Sequence, residues 1–324
     1  MEHLITADTP GLLVVAFIVG IVIGLTGMGG GALMTPALIF LGIPPTTAVA
    51  NDLVAAAVNK TVGAAVHLRQ GSPHLRLAAW LVAGSVPTAA LGAWLVSKMG
   101  EAEQRQANLK LAIGCALLLA AGTYILRMFL RMRSNVRDAR EGRVRQSDDV
   151  VVRPVPTLII GAVGGLLVGI TSVGSGSLIM VALLMLYPRL SAAKLVGTDL
   201  VQAIPLVLSA AVTHVLIEGI TWAVLLPLII GGSPGTYLGA KLTGWVPQSV
   251  VRRGIAIVLT LTGLGLLKVP PVWVGIIGTA LLLLGPILWG GVRRALGLPA
   301  FSTPTDDDLL AAGRRHPPSP RGPA

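Results

Sequence analysis

Cysteine, aromatic residues and acidic residues are all scarce in this sequence. A single cysteine, Cys115, among 324 residues excludes an intramolecular disulfide, a CxxC metal site and a dithiol redox pair. Because it sits in an apolar run, it is expected to be a buried, structural thiol. Aromatic residues make up only 4%, and no basic–aromatic cluster occurs. The excess of 25 Lys and Arg over 14 Asp and Glu therefore does not read as a nucleic-acid surface. No HExxH or paired-carboxylate motif is present, which argues against a membrane enzyme. The missing GxxxxGK[ST] loop argues against an ATP-driven pump. No cofactor or metal is expected. The N-terminal MEHLITADTP carries Glu2 and Asp8 and lacks the basic start of a signal peptide, so the first apolar stretch is expected to be a retained span.

Apolar sequence is what the chain has in abundance. Hydrophobic residues make up 53%, charged residues 12%, and the mean hydropathy is +0.79. Such a chain is too apolar for a soluble core and fits an integral membrane bundle. The net charge of +11 then reads as positive-inside bias.

Within that background one pattern occurs twice. GLTGMGGGAL (Gly24 to Leu33) is echoed by GITSVGSGSL (Gly169 to Leu178). Downstream the echo keeps an offset of 147: Asp52 with Asp199, His67 with His214, and GSVPTAALGAWL (84–95) with GGSPGTYLGAKL (231–242). A duplicated apolar block with paired glycine breaks is the sequence pattern of a secondary transporter.

The apolar runs 31–43 and 176–188 directly follow the glycine motifs. Both are too short to cross a bilayer, which takes about 20 helical residues. They are expected to be re-entrant half-helices, with irregular backbone buried in protein. If each turns back and the N-terminus is outside, the basic loops 69–76, 127–153, 241–253 and 293–294 all fall in the cytoplasm, as does the C-terminus. The expected fold is an all-α helical bundle of two homologous, inverted repeats, with glycine-broken half-helices and eight to nine full spans. Its parts are a first membrane repeat (1–131), a basic cytoplasmic linker (132–153), a second repeat (154–268), an extra C-terminal span (269–292) and a disordered basic tail (293–324).

Candidate functional residues cluster at the repeated motifs. Gly27, Gly29, Gly30 and Gly31, with Ser172, Gly174, Ser175 and Gly176, would leave backbone N–H groups open to an anion at a helix start. The competing reading is close helix packing, which accounts fully for the upstream Gly20/Gly24 and Gly161/Gly165/Gly169. Asp52 and Asp199 each lie about seven residues into a long span, where a charge costs roughly 2.5–3.5 kcal/mol. Asn51 and Thr198 precede them, and helix capping near an interface is the alternative to a functional role. With His67 and His214 these aspartates are candidates for proton coupling, through Asp52–His214 and Asp199–His67 pairs across the repeats. Lys60 is a candidate anion ligand. Pro87 and Pro234 stand at matched sites, as hinges or as harmless kinks.

These motifs resemble the sulfite exporter TauE/SafE family. The resemblance is carried by GLTGMGGGALMTPALIFLGIPPTTAVANDL and GAAVHLRQG in the first half, and by GITSVGSGSLI, KLVGTDLVQAIPL and HVLIEGITWAVLLPLIIGGSPGTYLGAKL in the second. It spans roughly residues 11–268. It implies a multi-pass protein of the cell inner membrane that moves small sulfur-containing anions, such as sulfite or organosulfonates, outward. The family's glycine motif falls on Gly27 to Gly31 and Gly174 to Gly176, and its GTDL-type motif on Gly197 to Leu200. Asn51-Asp52 stands where the family has a small hydroxyl pair, and Ser175 where it has glycine. The function expected is therefore secondary transport of a small anion across the lipid bilayer, with proton coupling. A passive anion channel and an integral membrane enzyme are the alternatives.

Overall fold

The computed structural model describes residues 9–26, 31–69, 73–140, 150–174, 176–188, 190, 192–242, 245 and 248–299. Among these residues the chain is entirely helical, with eleven helices and no strand. The first five are α1 (Thr9–Thr26), α2 (Gly31–Phe40), α3 (Pro45–Arg69), α4 (Leu75–Ser97) and α5 (Ala102–Arg140). The next five are α6 (Pro154–Thr171), α7 (Leu178–Leu186), α8 (Ala192–Glu218), α9 (Trp222–Leu242) and α10 (Gln248–Leu266), and α11 (Pro271–Ala295) follows. Proline opens α3, α6 and α11, where its fixed φ suits the first helical turn and no donor is lost.

The elements after the glycine motifs are short, as expected. α2 has 10 residues and α7 has 9, about 15 Å and 14 Å of helix at 1.5 Å per residue. Neither crosses a hydrocarbon core about 30 Å thick. α2 is stopped by Gly42 at φ +87°. The Gly42 N–H reaches Ile39 O and the Ile43 N–H reaches Leu38 O, a Schellman closure that ends the helix cleanly.

Among the described residues six helices are long and apolar enough to cross a membrane: α4, α5 over Ala102–Leu130, α6, α8 over Gly197–Glu218, α9 over Trp222–Gly239 and α11. α1 and α10 are apolar but shorter. α5 also continues as helix through residues 132–140 of the stretch expected to be a linker.

Two seams dominate the packing, α1 on α9 and α4 on α6. Along the first, Gly231, Gly235 and Gly239 face the carbonyls of Leu13, Phe17 and Ile21. Along the second, Gly161, Gly165 and Gly169 face those of Leu81, Ser85 and Ala89. In each series the partners ascend together, so each pair of helices runs parallel. A Cβ at any of these glycines would strike the neighbouring backbone, which is why glycine recurs at every fourth position. The remaining contacts place α3 against α8 and α9, α8 against α4, and α5 against α10.

Outward-facing side chains are apolar over much of the bundle, and Trp80, Trp94, Trp222, Trp245 and Trp273 are all exposed near helix ends. Tryptophan at those levels suits a membrane–water interface. Cys115 corrects an expectation, because it is exposed rather than buried. Its neighbour Gly114 turns toward Gly263 of α10 and Leu267 just beyond it. One position further on, about 100° around the helix, the thiol points away from the bundle.

Candidate functional site

Two residues of the glycine motifs, Gly31 and Ser172, meet in the bundle interior. α6 ends at Ser172, which takes a left-handed conformation with φ +61° and ψ −2°. Two residues on, Gly174 has φ +114°. This turn brings the Ser172 carbonyl against the first residue of α2, so closely that a Cβ on Gly31 would occupy the carbonyl's place. Gly31, Gly174 and Gly176 are all buried. Gly27, Gly29, Gly30 and Ser175 lie outside the described residues.

Against this junction α3 presents Asp52, which is 2% exposed. Thr35 Oγ1 of α2 donates to Asp52 Oδ2 over 2.5 Å. Ser172 Oγ, from the other half of the chain, donates to the same oxygen over 2.8 Å. Two hydroxyl donors converging on one oxygen suit a carboxylate in its ionised form. The left-handed backbone at a non-glycine residue costs roughly 1–2 kcal/mol; here it aims the Ser172 hydroxyl at Asp52.

Asp199, on α8, is also buried and accepts from Gln202 Nε2 over 3.2 Å. Lys60, 7% exposed, lies within Coulombic range of both Asp52 and Asp199. The three ionisable groups therefore share one low-dielectric interior, with Lys60 in reach of both carboxyls. Arg127 adds to the field at Asp199. Asn51 Nδ2 donates to Thr47 O over 2.8 Å, whereas Asn51 Oδ1 and Gln202 Oε1 are buried with no hydrogen-bond partner among the described residues. Unmatched amide groups beside buried charges are the kind of polar surface a ligand completes.

Other sequence candidates are engaged elsewhere. Thr198 Oγ1 is fully buried and accepts the His74 N–H over 2.9 Å, at the start of α4. His214 places Nε2 at 2.7 Å from Gly169 O. Because the partner is a carbonyl, that nitrogen carries the hydrogen. Asp52 and His214 are thus held by different partners and are not hydrogen-bonded to each other. His67 belongs to α3, and its side chain lies outside the described residues, so the Asp199–His67 pairing does too. α4 and α9 both continue through their prolines, Pro87 and Pro234. Next to each a hydroxyl crosses between helices: Ser209 Oγ donates to Val86 O and Ser233 Oγ to Asn59 Oδ1, both over 2.8 Å.

Sequence reasoning overlooked Thr35 as a partner of Asp52. Its signal was a lone hydroxyl, followed by Pro36, in the otherwise apolar GALMTPALIF. Among the described residues no group of three or more His, Cys, Asp or Glu side chains is placed to hold a metal ion.

Residues 12–266, which include every one of these side chains, match the family model of the sulfite exporter TauE/SafE. The chain belongs to that family. "Probable membrane transporter protein YjnA" of Bacillus subtilis (strain 168) is 34% identical over 257 residues, covering 79% of this chain and 98% of that protein. "Probable membrane transporter protein YdhB" of the same organism is 27% identical over 257 residues, covering 79% and 99%. A "Probable membrane transporter protein" of Xylella fastidiosa (strain Temecula1 / ATCC 700964) is 27% identical over 227 residues, covering 69% and 81%. No solved structure matches the chain. The TauE/SafE match ends where α10 ends, so α11 stands outside it.

Proposed function

We propose that this protein is a secondary transporter of a small sulfur-containing anion, sulfite or an organosulfonate, exporting it across the inner membrane with proton coupling. The observation that carries the reading is the junction of the two glycine breaks around Asp52, Ser172 and Gly31, with Lys60 in electrostatic reach. Family membership and the names of the relatives support a membrane transporter rather than an enzyme.

The helix pairing supports two inverted repeats. α1 on α9 corresponds to α6 on α4, and α3 on α9 to α8 on α4, while α3·α8 and α5·α10 each pair an element with its own counterpart. That is the contact pattern of a two-fold relation between the halves. Five elements per half, an odd number, set the second half opposite in direction to the first. With the basic loops on the cytoplasmic side, the N-terminus is outside and the C-terminus inside. Movement of one half against the other, along the glycine seams and at Pro87 and Pro234, would expose the junction alternately to the two sides.

The junction's chemistry links an anion to a proton. As a carboxylate, Asp52 takes the hydroxyl hydrogens of both Thr35 and Ser172. A proton on Asp52 removes that demand and frees Ser172 Oγ–H to donate to an incoming oxyanion. A proton on Asp199 similarly leaves Lys60 with charge to offer the same anion. Gly31, Gly174 and Gly176 keep backbone close to the site, with Asn51 beside it.

Flux in proteoliposomes tests the proposal, with sulfite, sulfoacetate, sulfate and chloride measured with and without an imposed pH gradient. The expected result is sulfite or sulfonate flux that responds to the gradient and loses that response in Asp52→Asn or Asp199→Asn. Flux that ignores the gradient in the unaltered protein would make it a channel or uniporter.

A further inference from the structure

Outside the central junction, the described residues contain a second feature of a size to bind a molecule. A cavity of about 780 Å³ lies between α5, α10 and α11, within the range of about 300–1,000 Å³ typical of small-molecule sites. Its walls are almost wholly apolar, with Tyr124, Phe129, Ile257, Leu282 and Trp289 among them. Ile125, Leu282 and Leu288, which also line it, are exposed, so the cavity opens toward the outer, lipid-facing surface of the bundle. α11 leaves this space because it packs mainly on α10, with only Gly278, Gly290 and Arg293 buried.

One end of the cavity is cationic. Arg253 lines it, and its Nε is buried with no hydrogen-bond partner among the described residues. The lining comes from residues 122–129 of α5, 253–260 of α10 and 281–292 of α11. It therefore lies where the sequence of each helix is basic: Arg127, Arg131 and Arg133, Arg252 and Arg253, and Arg293 and Arg294. No acidic side chain lines it. An apolar trough with an arginine at its basic end, one of whose guanidinium nitrogens is unmatched, asks for a long hydrocarbon chain carrying an anionic head. Arginine's planar fork is suited to phosphate oxygens.

We propose that this cavity is a binding site for an anionic glycerophospholipid, with an acyl chain between α5 and α11 and the phosphate on Arg253. The lipid fills the space that α11 leaves and joins it to the bundle. The reading is independent of what the central junction transports.

Native mass spectrometry of the full chain in mild detergent, given equal amounts of phosphatidylglycerol and phosphatidylcholine, tests this site. The expected result is retention of phosphatidylglycerol over phosphatidylcholine by about fivefold, the scale of one ion pair, because the choline ammonium offsets the phosphate charge offered to Arg253. Arg253→Gln should abolish the preference and Arg253→Lys should keep part of it. Gly285 lines the cavity with open space beside it, so Gly285→Leu should fold and reduce retention of both lipids. Equal retention of the two lipids by the unaltered protein would overturn the proposal. An unchanged preference in Arg253→Gln would do the same, as would a dimer that closes the cavity and excludes lipid.

Discussion

Asp52 and Ser172 lie 120 positions apart, in different halves of the chain, and share a hydrogen bond of 2.8 Å at the point where the two glycine breaks touch. Through this contact the turn that ends α6 is fastened to a charge on α3. Any movement of one half against the other at this level must stretch or break it. In the proposed mechanism the bond ties the backbone geometry of the turn to the protonation of Asp52.

Substitutions at Ser172 should separate its two contributions. Ser172→Ala removes a hydrogen bond to a carboxylate, worth about 1.5–3 kcal/mol, and leaves a Cβ at φ +61°. Ser172→Gly removes the same bond but relieves the left-handed backbone, so it should melt higher than Ser172→Ala by about 1 kcal/mol. Transport should fall in both variants. Thr35→Ser should retain transport, whereas Thr35→Val should behave like a Ser172 variant. Thermal unfolding and flux on the same preparations check the ordering, and full transport in Ser172→Ala would remove the hydroxyl from the mechanism.

His214 is expected to be a brace rather than a proton carrier. Its Nε2–H satisfies Gly169 O, one of the last carbonyls of α6, which lacks a full set of helical partners. His214→Gln, whose amide can still donate, should keep both stability and the pH dependence of transport. His214→Phe should cost about 1–3 kcal/mol by leaving a buried carbonyl unpaired. A shifted pH profile in His214→Gln would return the histidine to the coupling pathway.

The glycine seams should tolerate no side chain. Gly235→Leu would drive its Cβ into Phe17 O, and Gly169→Leu into Ala89 O. Overpacking of this kind costs about 1–3 kcal/mol or more. Gly275→Ala is the control, because nothing lies within 4 Å of the added Cβ. Replacing an exposed helical glycine by alanine should be neutral or stabilising by up to about 1 kcal/mol. Thermal unfolding in detergent reads all three.

Sequence by itself determined the class of this protein, the two glycine breaks, the short helices behind them and the burial of Asp52, Asp199 and Lys60. These follow from composition, length and the cost of charge in an apolar medium, all of which are local properties of the chain. It also located the Gly161 series by its small-residue spacing, whereas the Gly231, Gly235 and Gly239 face emerged only from the packing. Only the tertiary structure decided which side chains meet. It joined Asp52 to Thr35 and Ser172 instead of His214, gave Thr198 to the start of α4, and turned Cys115 outward. In a chain that is apolar on almost every face, helical periodicity no longer marks which side of a helix is buried. Facing and partnership are then set by how the helices pack, and sequence spacing alone does not contain that.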